Sequence, residues 1–253
     1  MSTDSLITPA QLSIARRRFL QTAAAGLGAF GLGTLGMARS GLAADTIPPT
    51  QGVRSTKSAA RDQDILNFAL NLEYLEAEFY LFAATGKGLA AADTGSDLGP
   101  IGPTTGGKKV TFATKAIQDY ANEIAADELA HVRFLRKATS KSVAKPAIDL
   151  TNSFTAAARA AGLIGPTDVF DAFANEDNFL LAAFIFEDVG VTAYKGAAPL
   201  LNSPAILEAA AGILAVEAYH AGLVRTVLAS KGLAAATNKI SDLRDAADGT
   251  PDQ

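Results

Sequence analysis

The chain contains two histidines, and each follows a glutamate by three residues: Glu128 with His131, and Glu217 with His220. Three residues is close to one helical turn, so on a helix each carboxylate shares a face with its imidazole. Ile124 and Leu135 lie on the face of the first pair, and Leu214, Leu223 and Val224 flank the second. Two more carboxylates stand among apolar residues in matching settings. Glu73 lies one heptad after Leu66 and one before Tyr80, and Glu187 lies one heptad after Leu180 and one before Tyr194. Glu76 competes with Glu73 for the same role, and the shared Glu-x6-Tyr spacing favours Glu73. A lone carboxylate in an apolar core costs several kcal/mol, and four would repel one another. Two divalent cations cancel four such charges. Oxygen and imidazole ligands without thiolates suit Fe or Mn. A bland alternative is two buried histidines, each held by a neighbouring acid.

The elements that must position these groups read as helices. Arg61 to Thr85 contains no Gly or Pro and has apolar residues at helical spacing, ending at Gly86. A Gly-rich insert, 86–110, with Pro100 and Pro103, is expected to be a flexible loop. A second helix is expected from about Thr111 to Thr139, and a short one around Ser153–Ala161. A third is expected from Pro166 or Thr167 to Ala197, where Glu176-Asp177-Asn178 marks a kink or a second start. The fourth runs from Ser203, with Pro204 at its first helical position, to Ser230. A weak helix at Asn238–Ala247 closes the chain, within a tail at 233–253. Nothing reads as a strand alternation. The expected fold is all-α: a four-helix bundle over 61–232 with one long crossover connection. The two Glu-x6-Tyr helices and the two Glu-x2-His helices form a weak internal repeat, which would bring all six ligands to the bundle centre. Glu78 is expected to face away from that centre into solvent. Glu123, Asp127 and Asp188 are expected on the surface or beside the ligands.

Composition narrows the function. The 253 residues carry 49% hydrophobic side chains, 7% aromatics and no Trp, a mix that favours helices. A net charge of −4 argues against nucleic acid as a partner. The absence of Cys excludes disulfides, iron–sulfur clusters, thiolate zinc sites and cysteine nucleophiles. The first 44 residues read as an address. Arg16 and Arg17 open the run RRRFLQ, an uncharged Gly-rich stretch follows from Thr22 to Ala38, and small residues come next. This order is that of a twin-arginine signal peptide. The expectation is export to the periplasm or beyond, with no membrane attachment after cleavage. Residues 45–60 read as a flexible leader.

Residues 61–230 resemble the ferritin-like superfamily, and more narrowly its exported ferritin-like domain family with desiccation- and stress-associated members. The resemblance is carried by DILNFALNLEYLEAEFY, ANEIAADELAHVRFL, FEDVGVTAY and AVEAYHAGLVR. It implies a ferritin-like four-helix bundle holding two divalent ions, Fe or Mn. Glu128 and Glu217 would bridge them, Glu73 and Glu187 would each cap one, and His131 and His220 would each bind one. Tyr80 and Tyr194 would stand beside these ligands. The insert 86–110 departs from ferritin cages. The resemblance implies an oxidoreductase acting on Fe(II) with O2, or on peroxide, in stress protection. The alternative is a non-enzymatic desiccation-related protein with a structural metal or none. A homo-oligomer is compatible with either.

Overall fold

The computed structural model describes residues 54–95 and 98–248. The expected signal peptide at 1–44, with Arg16 and Arg17, and the leader up to residue 53 lie outside the described residues. Helix α1 spans Arg54–Thr85. It begins seven residues before Arg61, so the last part of the expected leader is helical. A short helix, α2 (Ala91–Thr94), lies inside the insert. Then come α3 (Lys115–Ala138), α4 (Asn152–Ala160), α5 (Glu176–Ala197), α6 (Pro204–Ser230) and α7 (Ala234–Asp248). A single 3-10 turn at Ala198–Leu200 joins α5 to α6.

Four long helices form the bundle. α1 packs on α3, α5 packs on α6, and α1 meets α5 across the middle. Leu66 near the start of α1 and Ala138 at the end of α3 line one cavity with Tyr194 near the end of α5 and Ala205 at the start of α6. Thus α1 and α6 run one way, and α3 and α5 the other. A helix of 24 residues is about 36 Å long. Because α3 and α5 are parallel, the chain from 139 to 175 must travel that length back, which is the long crossover.

The crossover is anchored by aromatic packing. Phe79 of α1 lies 5.3 Å from Phe154 of α4, 5.4 Å from Phe173, and 5.1 Å from Phe186 of α5, measured between ring centroids. Phe170 and Phe173 are buried, so residues 166–175 turn inward instead of continuing α5 backwards. Asn175 caps α5, its side chain accepting from the Asn178 N–H at 2.9 Å. The Glu176-Asp177-Asn178 cluster is therefore the true start of this helix. Ser203 caps α6 in the same way through the Ile206 N–H, with Pro204 following. Asp62 of α1 accepts from the Asn202 and Ser203 backbone N–H groups, both at 2.9 Å, and pins the α5–α6 corner. The closing helix, α7, starts four residues earlier than expected, and it is held to the bundle by Arg244, which reaches back to Asp188 at 2.6 Å, and by the buried Ile240. Among the described helices, α6 alone has the length and mean hydropathy (1.3) of a membrane span. It packs on α5 with Glu217 and His220 buried inward, as a bundle helix does.

The described residues of the Gly-rich insert are held by specific pairing. Thr104–Thr105 (β1) pairs in parallel with Ile148–Asp149 (β2) of the crossover. Further backbone bonds join Leu98 to Ser142 and Ala144, Gly102 to Lys145, and Val110 to Ala83. Glycine is required at 102, where a Cβ would sit 2.0 Å from the Ala147 nitrogen. Under the insert, Glu78 is 2% exposed, with Lys145 Nζ 3.7 Å from its Oε1. Glu78 does face away from the bundle centre, but the insert and crossover cover it, so the expectation of a solvated side chain is corrected.

Candidate metal centre

The six predicted ligands converge in the middle of the bundle, one each from α1 and α5 and two each from α3 and α6. Glu73, Glu128, Glu187, Glu217 and His220 are at most 1% exposed, and His131 is 7% exposed. Ligand atoms of Glu73, Glu128, His131 and Glu217 lie within 4.8 Å of one another, as do those of Glu128, Glu187 and His220. Glu128 is common to both groups. Helical spacing accounts for each contribution: the i, i+3 pairs on α3 and α6 point inward with Ile124, Leu135, Ile213 and Val224.

The geometry is nearly twofold. Tyr80 of α1 donates its phenolic O–H to Glu187 of α5, and Tyr194 of α5 donates to Glu73 of α1. Each tyrosine thus orients the carboxylate of the opposite helix. His131 Nδ1 donates between Glu128 (3.1 Å) and Glu73 (3.2 Å), with Glu217 3.4 Å away. His220 Nδ1 lies 3.2 Å from both Glu128 and Glu187 without hydrogen-bond alignment to either. Its other nitrogen, Nε2, is 3.1 Å from Asp127 Oδ2, which sets the ring orientation.

The twofold relation breaks at two positions. Superposing the repeats in sequence sets Glu76 of α1 against Gly190 of α5, and Asp127 against Val216. Glu76 is 4% exposed and is a fifth buried acid of the centre. A Cβ at Gly190 would stand 2.1 Å from Glu217 Oε2, so this glycine makes room for the Glu217 carboxylate. Asp188, next to Glu187, is buried away from the centre and held by Arg225 and Arg244. Glu123 is exposed and accepts from Tyr219 at 3.2 Å. Sequence spacing reveals neither Gly190 nor the Asp127–His220 contact, because both depend on how α5 and α3 pack against α6.

Among the described residues, five buried side-chain atoms of this cluster have no hydrogen-bond partner: Glu128 Oε1, Glu187 Oε2, both oxygens of Glu217, and His220 Nδ1. Buried polar atoms are ordinarily satisfied, and each one left over costs roughly 1–3 kcal/mol. Lone pairs that converge without pairing fit a bound cation. The electrostatics agree. Burial pushes the Glu217 acid well above the carboxylate range, and Glu128 adds to the shift. Burial and then the neighbouring Glu217, Glu128, Glu73 and Glu187 push Glu76 up as well. Glu128 is pushed up to about 7 by burial, against the opposing pull of the neighbouring His131 and His220. Burial opposes charge on His220, but its contacts with Glu128 and Glu187 carry it up to about 11. His131 moves upward too, against burial, through Glu128, Glu217 and Glu73. The cluster therefore retains protons that divalent cations would displace.

A buried carboxylate–histidine cluster able to hold metal, at the centre of a four-helix bundle, defines a class of protein. A family profile described as "Ferritin-like domain" matches residues 61–230, and the chain belongs to that family. It is 36% identical over 197 residues to "Desiccation-related protein PCC13-62" of Craterostigma plantagineum, covering 73% of this chain and 61% of that protein. It is 30% identical over 171 residues to "Ferritin-like catalase Nec2" of Nesocodon mauritianus, covering 66% of this chain and 53% of that protein. The chain thus spans less than two thirds of the length of either relative. No solved structure matches it.

Proposed function

We propose that the centre binds two divalent ions, Fe or Mn, and consumes peroxide as part of stress protection. The observation that carries this reading is the set of unpaired buried ligand atoms shared among Glu128, Glu187, Glu217 and His220. The relative named as a ferritin-like catalase supports peroxide over Fe(II) with O2 as the substrate. Glu73, His131 and Glu217 would hold one ion and Glu187 with His220 the other, with Glu128 bridging. Both oxygens of Glu217 are unpaired, which suits it as the second bridge. When bound, the metals supply paired one-electron redox chemistry, which no side chain here provides. The chain does the rest. Tyr80 and Tyr194 fix the capping carboxylates, and Asp127 fixes the His220 ring. Glu76 is a further buried acid beside the centre, whose proton affinity burial raises.

The test is metal analysis combined with an assay of O2 release from hydrogen peroxide. Protein isolated with Fe or Mn available should carry two ions per chain and consume peroxide. Glu128→Ala should lose both ions and all activity, while His131→Ala or His220→Ala should retain about one ion. Full loading of Glu128→Ala would overturn the ligand assignment. Two ions without peroxide consumption would favour a second reading, a non-enzymatic protective protein with a structural metal, for which the similarity to a desiccation-related protein speaks.

A further inference from the structure

A cavity of about 270 Å³ lies near one end of the bundle, between all four long helices. Its floor is Leu66, Leu135, Tyr194 and Ala210, all buried, and its rim includes the 42%-exposed Phe134 and the half-buried Ala209. None of its ten lining residues carries a charge. The one polar side-chain group in the lining is the Tyr194 hydroxyl, which is already committed to Glu73. Tyr194 differs here from its symmetry mate. Tyr80 is wedged between Phe79 and Phe179, with ring centroids 4.9 and 5.8 Å away. Among the described residues Tyr194 has no ring partner. A second, smaller apolar hollow, lined by Phe68, Leu72 and Leu201, touches its ring as well.

We infer that this cavity is a binding site for a small, uncharged, apolar molecule, of the size of one or two aromatic rings or a short alkyl chain, and that its occupancy is communicated to the metal centre through Tyr194. The chemistry of the lining sets the ligand class. A charged or strongly polar ligand would lose its water and gain no partner, whereas an apolar cavity of about 150 Å³ is already large enough to take benzene. The volume falls below the roughly 300–1,000 Å³ of pockets for drug-sized molecules, which excludes long chains and large ring systems. The link to the centre is one side chain long. A ligand on the Tyr194 ring face bears on the phenol that orients Glu73, so binding of ligand and of metal should each change the affinity for the other by the same factor. The binding site stands on the cavity alone; the coupling rests on the metal-centre reading.

Toluene is the probe, titrated by calorimetry into the full chain as isolated and again after loading with Fe(II) or Mn(II). Saturable binding of one toluene per chain is expected, with a Kd on the order of 0.1–1 mM. Ala205→Phe and Ala209→Phe, one turn apart on the cavity face of α6, should each weaken binding at least about tenfold. Ala211→Phe, on the outward face of α6, should leave it unchanged. Thermal melting followed by circular dichroism identifies any variant that fails to fold, and either filled variant alone suffices. Toluene should also shift metal affinity in the unmodified chain but not in Tyr194→Phe, which keeps the ring and loses the hydroxyl. Absence of saturable binding, or binding unchanged in every folded cavity-filling variant, overturns the site. Binding with no effect on metal affinity overturns the coupling. Metal content is measured on the same samples. Two ions with no toluene binding removes this inference and leaves the proposed function, while toluene binding without metal leaves the binding site and removes both the coupling and the proposed function.

Discussion

At the scale of single residues, Gly190 is where the centre tolerates least. It sits mid-helix, where glycine costs roughly 0.5–1 kcal/mol relative to alanine. The space it leaves is taken by the Glu217 carboxylate, 2.1 Å from where a Cβ would be. Gly190→Ala should therefore leave the metal-free fold within about 1 kcal/mol of the original in denaturant unfolding. Metal content should fall by at least half, because Glu217 must move away, and full occupancy would show that Glu217 is dispensable. A second expectation concerns pH. Glu128 in the metal-free fold titrates near 7, against 4.5 ordinarily, and His220 near 11, against 6.5. The folded state therefore binds more protons than the unfolded state across these windows. Its metal-free stability falls as pH rises through them. Metal ions displace those protons, so their affinity rises by about tenfold per pH unit for each proton displaced. The increase in melting temperature on adding Mn(II) should be larger at pH 8 than at pH 5.5, and an equal or smaller increase would contradict this. The two Glu-x2-His pairs were legible in sequence because one helical turn puts them on one face. Glu76 was visible only as a rival to Glu73, since spacing along α1 cannot show that both reach the same interior.

Among the elements, the insert and crossover form a clasp over the outer face of α1. Its buried link is Glu78 with Lys145, whose Nζ also donates to the Gly102 carbonyl (2.8 Å) and to Thr104 Oγ1 (2.7 Å). Glu78→Gln would leave the Lys145 charge with neutral acceptors only. A loss of about 2 kcal/mol is expected in denaturant unfolding, with faster proteolysis within 86–110 and unchanged metal content. Loss of metal in this variant would mean that the clasp supports the centre directly. Glycine and proline content predicts irregular backbone in the insert, and its described residues are irregular outside α2 and β1. Its order comes from partners at 142–150, more than thirty residues further along the chain, which no local signal encodes. The start of α5 illustrates the same limit. Residues 166–175 can continue a helix by composition, yet burial of Phe170 and Phe173 and the Asn175 cap turn them inward.

For the whole molecule, we propose on the RRRFLQ run that the chain is exported by the twin-arginine route, which carries folded proteins and would let any metal be bound beforehand. Replacing Arg16 and Arg17 together by Lys should retain the protein in the cytoplasm, as judged by fractionation, and unchanged export would remove that reading. The order of helices, the single long crossover and the convergence of six Glu and His side chains follow from sequence alone. Helical periodicity and end signals are local, and buried acids and imidazoles at matched spacing have few uses other than metal binding. Tertiary structure alone decided which carboxylate is common to both ligand groups, which tyrosine braces which glutamate, and that Tyr194 borders an apolar cavity while Tyr80 is locked among phenylalanines. Each of these depends on the rotation and offset of one helix against another. Those quantities are set by the packing of side chains distant in sequence, and periodicity along a single helix carries no record of them.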